Sequence, residues 1–321
     1  MSTRESTCFL TGISGFVGSE LCRELLERGY RVIGLALAGE DLSRLDAVRD
    51  RIELITGDLA DKNSLDSAVR DAGADLVVHL AAESAPAESF KHPLRFFRTN
   101  TLGTLNLLES VRHFGKGKRF VFLSSAEVYG AVETGALPLT EATPLRPVNP
   151  YAASKVAGHF HLVQYAMHFG LETVEVRPFN MIGPGQDLGF VLPDFASQVA
   201  AIVKGGKERS IRVGRLSDRR DFVDVRDAVR AVADIAEQGH SGEVYHVCRG
   251  EAVEIKRLLD ILLEEAGTVI EVSQDPARLR PAKVPVLYGS HEKLTALNGW
   301  RPRIPLRETV RDTLAHWLSR I

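Results

Sequence analysis

Tyr151 and Lys155 stand four residues apart in Tyr151-Ala-Ala-Ser-Lys155, just after the turn residues Pro147 and Pro150. On a helix, positions i and i+4 share one face, so the phenol and the amine enter the same space. An ammonium beside a phenol favours the phenolate and brings its pKa down from about 10. A tyrosine tuned in that way gives or takes a proton near neutral pH. Ser125 closes a preceding apolar run. A hydroxyl at the carboxyl end of a strand faces the crevice where ligands bind in open parallel sheets. Ser125 is therefore expected to hydrogen-bond the substrate oxygen that Tyr151 protonates.

A second chemical signal lies near the start, in Thr11-Gly12-Ile-Ser-Gly15-Phe-Val-Gly18. It follows a strand-like run and opens a helical one. Gly12 suits a tight turn, Gly15 lets backbone approach a pyrophosphate, and Gly18 permits close packing of helix on strand. The helix start adds free N–H groups and a positive dipole end. About 20 residues on, a dinucleotide fold usually carries an acid for the ribose hydroxyls. That position reads Leu35-Ala36-Leu37, with no acid and no arginine; Glu40 and Asp41 come slightly late. NADP(H) and NAD(H) both stay open. Asp58, in Gly57-Asp58-Leu59, can reach an adenine amino group or can cap a helix.

These groups need a scaffold. Short apolar runs at Cys8–Leu10, Val32–Leu37, Ile52–Ile55, Leu76–Ala82, Phe120–Leu123 and Thr173–Val176 read as strands buried on both faces. Helical stripes lie between them: Val17, Leu21 and Leu25; then Leu102, Leu105, Leu108 and Val111; then Val156, Phe160 and Val163. Strand-helix alternation implies an α/β fold, a Rossmann-type doubly wound parallel sheet. After Pro178 the texture changes to Gly-Pro clusters, arginine-rich loops and helices near 190–203, 226–237, 254–266 and 304–319. The expected organisation is a dinucleotide-binding domain over 1–178, with a returning segment near 221–248, and a smaller mixed α/β substrate domain over 179–321.

Composition narrows the class. Of 321 residues, 40 are Lys or Arg and 42 Asp or Glu, a net charge of −2. That balance argues against a broad polyanion surface and so against nucleic acid. No apolar run approaches a membrane span, and the first residues lack a secretory core, so a cytoplasmic protein is expected. Cys8, Cys22 and Cys248 have no CxxC spacing, which argues against a disulfide framework or a zinc cage. His159 and His161 are two apart on a predicted helix, roughly 200° around it, and cannot share a metal. No metal site is expected.

Taken together, the glycine loop, Ser125-Ala-Glu-Val-Tyr-Gly130, Tyr151/Lys155 and Arg177-Pro-Phe-Asn180 resemble the extended short-chain dehydrogenase/reductase family, which acts on nucleotide-diphosphate sugars. The resemblance spans essentially the whole chain. It implies about seven parallel strands and a homodimer in which helices near 93–113 and 151–169 form a four-helix bundle. It also assigns Phe16, Val17, Leu59, Leu80, Ala81, Ala82 and Pro178, with Tyr151 and Lys155, to the dinucleotide. Sugar-nucleotide 4,6-dehydratases carry an acid after the serine; Ala126 stands there in this chain, although Glu127 follows. Segments at Phe179–Gln186, Phe190–Phe195, Arg219–Asp227 and Asp275–Pro281 are similar to reductases of GDP-4-dehydro-6-deoxy-D-mannose. By that resemblance Ser125, Ala126, Glu127, Asn180, Val191, Arg220 and Arg280 meet a GDP-sugar, the arginines forking onto phosphate oxygens. The implied reaction is reduction of the C4 ketone to GDP-D-rhamnose. A 4-epimerase, a 4,6-dehydratase, a GDP-6-deoxy-D-talose-forming reductase and a non-enzymatic dinucleotide sensor are the alternatives.

Overall fold

A computed structural model describes residues 6–206, 209–278 and 284–321. Six strands follow the apolar runs: β1 (Thr7–Thr11), β2 (Arg31–Ala36), β3 (Ile52–Thr56), β4 (Leu76–His79), β5 (Arg119–Leu123) and β6 (Glu172–Pro178). With Val244–Val247 they form one parallel sheet in the order Val244–Val247, β6, β5, β4, β1, β2, β3. The order reverses between β1 and β4, which opens a crevice at the strands' carboxyl ends.

Alternation along each strand splits the sheet's two faces. On one face Cys8, Leu10, Val78, Val121 and Val176 pack against helices Phe16–Glu27 and Val225–Gln238. On the other, Phe9, Val77, Phe120 and Phe122 meet helices Lys62–Ala72, Gly103–Phe114 and Pro150–Phe169. A separate apolar cluster joins helices Val191–Val203, Ile255–Ala266 and Leu306–Arg320 into a second lobe. All three cysteines are buried free thiols. Among the described residues there is no cluster of metal-ligand side chains, and no helix is long and apolar enough to cross a membrane.

Three expectations shift. The run Leu76–Ala82 is a strand only to His79. Beyond it the chain leaves the sheet, with the Leu80 and Ala81 N–H groups donating to the Thr11 backbone and side chain. In the leucine stripe, Leu108 and Val111 are buried while Leu102 is exposed, because a strict three-residue repeat drifts around a 3.6-residue helix, and Leu107 takes a buried place instead. Likewise Val156, Phe160 and Val163 do not form the buried face of their helix. Tyr151, Lys155, Gly158, Leu162 and Tyr165 do. Position 158 is glycine because the Phe122 ring lies where its side chain would be, 2.6 Å from a Cβ.

Candidate active site

One cleft of about 1670 Å³ runs from the glycine loop to the second lobe. At one end the loop turns by the positive φ of Gly12, where a Cβ would sit 2.7 Å from the Ala81 nitrogen. A side chain at Gly18 would collide with the Gly12 carbonyl oxygen. No side chain caps the Phe16–Glu27 helix, which leaves its first N–H groups facing the cleft. This tight, side-chain-free cradle fits a pyrophosphate. Gly12, Gly15, Phe16, Val17, Gly18, Asp58, Leu59, Leu80, Ala81, Ala82 and Pro178 all line the cleft. Asp61, not Asp58, caps the next helix, accepting from Asn63 and Ser64. Asp58 instead accepts from the Ala60 N–H. Glu40 also lines this end, its carboxylate taking the Leu37 N–H at 2.9 Å.

Midway, Ser125, Tyr151 and Lys155 line the same wall. Ser125 caps a short turn, accepting from the Glu127 N–H. Pro150 opens the Tyr151 helix, and Asn149 caps it by accepting from the Ala152 N–H at 2.7 Å. The Asn149 amide also donates to Glu127 at 3.0 Å, so one residue fixes both the helix start and the carboxylate. Lys155 donates to the Leu123 carbonyl at 2.8 Å. Asn100 is buried in a π-helical stretch, Phe97–Leu102. It binds the Glu83 backbone and donates to Ser154, tying the cleft wall to the Tyr151 helix.

Electrostatics here depart from the simple Tyr–Lys expectation. Burial pushes Tyr151 up to about 12, with Ser125 pulling the other way and Glu127 adding to the rise. Burial also brings Lys155 down to about 7, against the pull of Glu175. The phenol is raised because desolvation penalises its charge more than its neighbours relieve it.

At the far end Asn180, Val191 and Arg220 line the cleft with Arg215; Arg95, ion-paired with Glu83, and Arg98 line it as well. Asp221 organises this end. Its buried carboxylate accepts the N–H groups of Arg249, Gly250 and Gly289, and its carbonyl accepts from the Asn180 backbone and side chain. Burial still raises its carboxyl to about 7. Arg220 donates to the Arg219 and Pro285 carbonyls. The Ala126 methyl does not line the cleft; it packs with Val128, Tyr129 and Phe179. Arg280 lies outside the described residues. Arg95, Arg98, Asn100 and Asn149 escape the sequence reading. For Asn149, asparagine directly before a proline at a helix start was the available signal; for the arginines there was none.

A seven-stranded parallel sheet with a glycine cradle at its first turn and a Ser–Tyr–Lys wall at its carboxyl edge defines a Rossmann-type short-chain dehydrogenase/reductase. Within that class the chain belongs to the GDP-mannose 4,6-dehydratase family, whose model matches residues 9–313. It is 37% identical to a GDP-6-deoxy-D-mannose reductase of Pseudomonas aeruginosa, over 98% of this chain and 97% of that one. The solved structure of RMD from Pseudomonas aeruginosa complexed with NADPH superposes with a TM-score of 0.87. It is 34% identical, covering 98% of this chain and all of that one. A Thermus thermophilus UDP-glucose 4-epimerase in complex with NAD is 33% identical, with a TM-score of 0.86, over 97% of this chain and 98% of the other.

Proposed function

We propose that this chain is an NAD(P)H-dependent reductase of the C4 ketone of GDP-4-dehydro-6-deoxy-D-mannose, forming GDP-D-rhamnose. One observation carries the reading: Ser125, Tyr151 and Lys155 share the cleft wall, while an inert methyl packed into the core, Ala126, follows the serine. A dehydratase needs an acid there to remove water. Glu127, the next residue, lines the cleft and is tied to Asn149.

In this reading residues 1–178, with the segment near 221–248, hold the dinucleotide, and residues 179–321 cap the sugar nucleotide. Gly12, Gly15 and Gly18 hold the pyrophosphate, and Asp58 faces the adenine. A nicotinamide dinucleotide supplies the hydride when bound. Ser125 orients the ketone oxygen and Tyr151 gives it a proton as negative charge develops. Lys155 supplies positive charge beside the phenol, favouring proton release. Arg220 and Asn180 hold the diphosphate and ribose, with Arg95, Arg98 and Arg215 adding positive charge to the same cleft. Exposed Leu94, Phe97, Leu102, Phe160, Met167 and Phe169 on the helices between 93 and 169 support a homodimer through a four-helix bundle. Sedimentation velocity tests this, with a monomer as the contrary result.

The direct test is incubation of the ketosugar with NADH or NADPH and NMR of the product. Stoichiometric cofactor oxidation with GDP-D-rhamnose supports the reading. GDP-6-deoxy-D-talose would reverse the face of delivery, and a redox-neutral 4-epimer would make the chain an epimerase.

A further inference from the structure

Behind the catalytic wall lies a buried charge network that the reaction as proposed does not use. Glu175 and Arg177 are two apart on β6, so both side chains leave the same face of the sheet. That face also carries Phe122 and meets the Tyr151 helix. Arg177 grips Glu175 by two bonds, Nε to Oε1 at 2.9 Å and Nη2 to Oε2 at 2.8 Å. His159 Nδ1 lies 2.6 Å from the same carboxylate. Arg177 also donates to the Tyr129 hydroxyl, which meets His246 at 2.5 Å.

Three contacts bring this cluster up to Lys155. His159 is one helical turn from Lys155 on the same face. Glu175 pairs in register with Phe122. The Phe122 ring centre lies 4.8 Å from the Lys155 amine. Other groups face the amine too. His79 of β4 is neutral, pushed down to about 3 by burial and by Lys155 itself. Leu123 of β5 offers a carbonyl, and Tyr151 shares the helix. Arg177 is a second cation on the carboxylate. Among these, Glu175 is the anion, and it stays ionised: burial raises it, but the His159 bond and the Arg177 charge bring it down to about 2.

Mere structure does not account for this pair. A buried ion pair gains little over apolar side chains of similar volume. The neighbouring β5 positions on this face, Phe120 and Phe122, are apolar and fully packed. We propose that Glu175 is a positioning residue for Lys155: its carboxylate, fixed by Arg177 and His159, keeps the amine protonated beside Tyr151. The inference deepens the reductase reading and rests on it for the role of Lys155. Glu175 does not line the cleft, so it acts through Lys155 and not on substrate.

The test uses the full-length protein labelled with [13Cε]lysine, with the Lys155 signal assigned by its loss in Lys155→Arg. Removing the Glu175 charge favours the neutral amine, so the Lys155 titration midpoint moves to lower pH. We expect Glu175→Gln to lower it by one unit or more. At the wild-type midpoint, the charged fraction then falls from half to about a tenth. Glu175→Asp restores most of it. Glu175→Gln leaves Arg177 buried and unpaired, which can unfold the chain. Glu175→Gln/Arg177→Leu removes both charges and is expected to fold, with the midpoint again lowered. A folded variant of either kind whose Lys155 titrates as in the wild type overturns the inference. The pH profile of kcat separates the two claims. If the NMR midpoint falls and the kcat profile follows while KM holds, both stand. If the midpoint falls and kcat does not respond, Glu175 positions Lys155 but the reductase role given to Lys155 fails.

Discussion

The two ends of the cleft grip by opposite means. At the glycine loop the wall is backbone: a positive-φ turn, a second glycine pressed on the first, and an uncapped helix start. At the far end the wall is side chain: Arg215, Arg220 and Asn180, drawn from separate segments. Backbone recognition is rigid and depends on what is missing, a Cβ. Side-chain recognition depends on charges that distant parts of the chain must bring together. The contrast predicts that a small insult at the first end weakens the dinucleotide and spares the sugar nucleotide, while a loss at the second does the reverse.

Tyr151→Phe lies between the two ends and has the largest expected effect. Loss of a positioned proton donor lowers turnover by about 10²–10⁴-fold. Dinucleotide affinity, followed by fluorescence titration, stays within about twofold because the glycine cradle is untouched. A near-wild-type rate would remove Tyr151 from the chemistry. Next comes Gly18→Ala, whose methyl collides with the Gly12 carbonyl. Dinucleotide affinity is expected to fall by at least about tenfold, since the loop must open to admit the methyl. GDP binding by calorimetry is expected to be unchanged. Equal loss of both ligands would erase the contrast between the ends.

Arg220→Ala strikes the other ligand. A charge-assisted bond is worth about 1.5–3 kcal/mol, so KM for the sugar nucleotide rises about tenfold or more while kcat changes little. A pure kcat loss in steady-state kinetics would move Arg220 from binding to chemistry. The smallest effect is on acid stability. His79 lies beneath the glycine-loop end, between Thr11 and Thr104; His246 lies beneath the other, against Tyr129 and Phe179. Burial holds both near 3, below the ordinary 6.5. A depressed value stabilises the fold above 6.5 and loses that contribution as pH falls toward 3. Melting temperature should therefore drop across that window. Comparing His79→Gln with His246→Gln, each expected to flatten part of the drop, shows which end yields first.

The backbone end was legible in the sequence because its rules are local. Three glycines between a strand and a helix mean much the same wherever they occur, and Tyr151 with Lys155 needs only helix geometry. The side-chain end was legible only where arginines sat in a recognisable segment, as Arg220 did. Arg95 and Arg98 reach the cleft from a short α-helix and the π-helical stretch that follows it, which no local pattern announces. β6 was misleading in a subtler way. Thr173–Val176 reads as a strand buried on both faces, which it is, yet one buried face is polar, carrying Thr173, Glu175 and Arg177. The valines that make the run look apolar, Val174 and Val176, belong to the opposite core. The Tyr151 helix misled for the same reason: its most apolar stripe is only partly buried, with Phe160 exposed.

One edge strand of the sheet, Val244–Val247, is made only after some 65 further residues have followed β6, including the first helix of the second lobe. During synthesis at about 5–20 residues per second, β6 is therefore a temporary edge for several seconds. An open edge is a template for another nascent chain on the same message. Inward-pointing charges are one of the devices that blunt such an edge. Glu175 and Arg177 stand on that strand, inward-pointing charges of the kind that make an open edge a poor template.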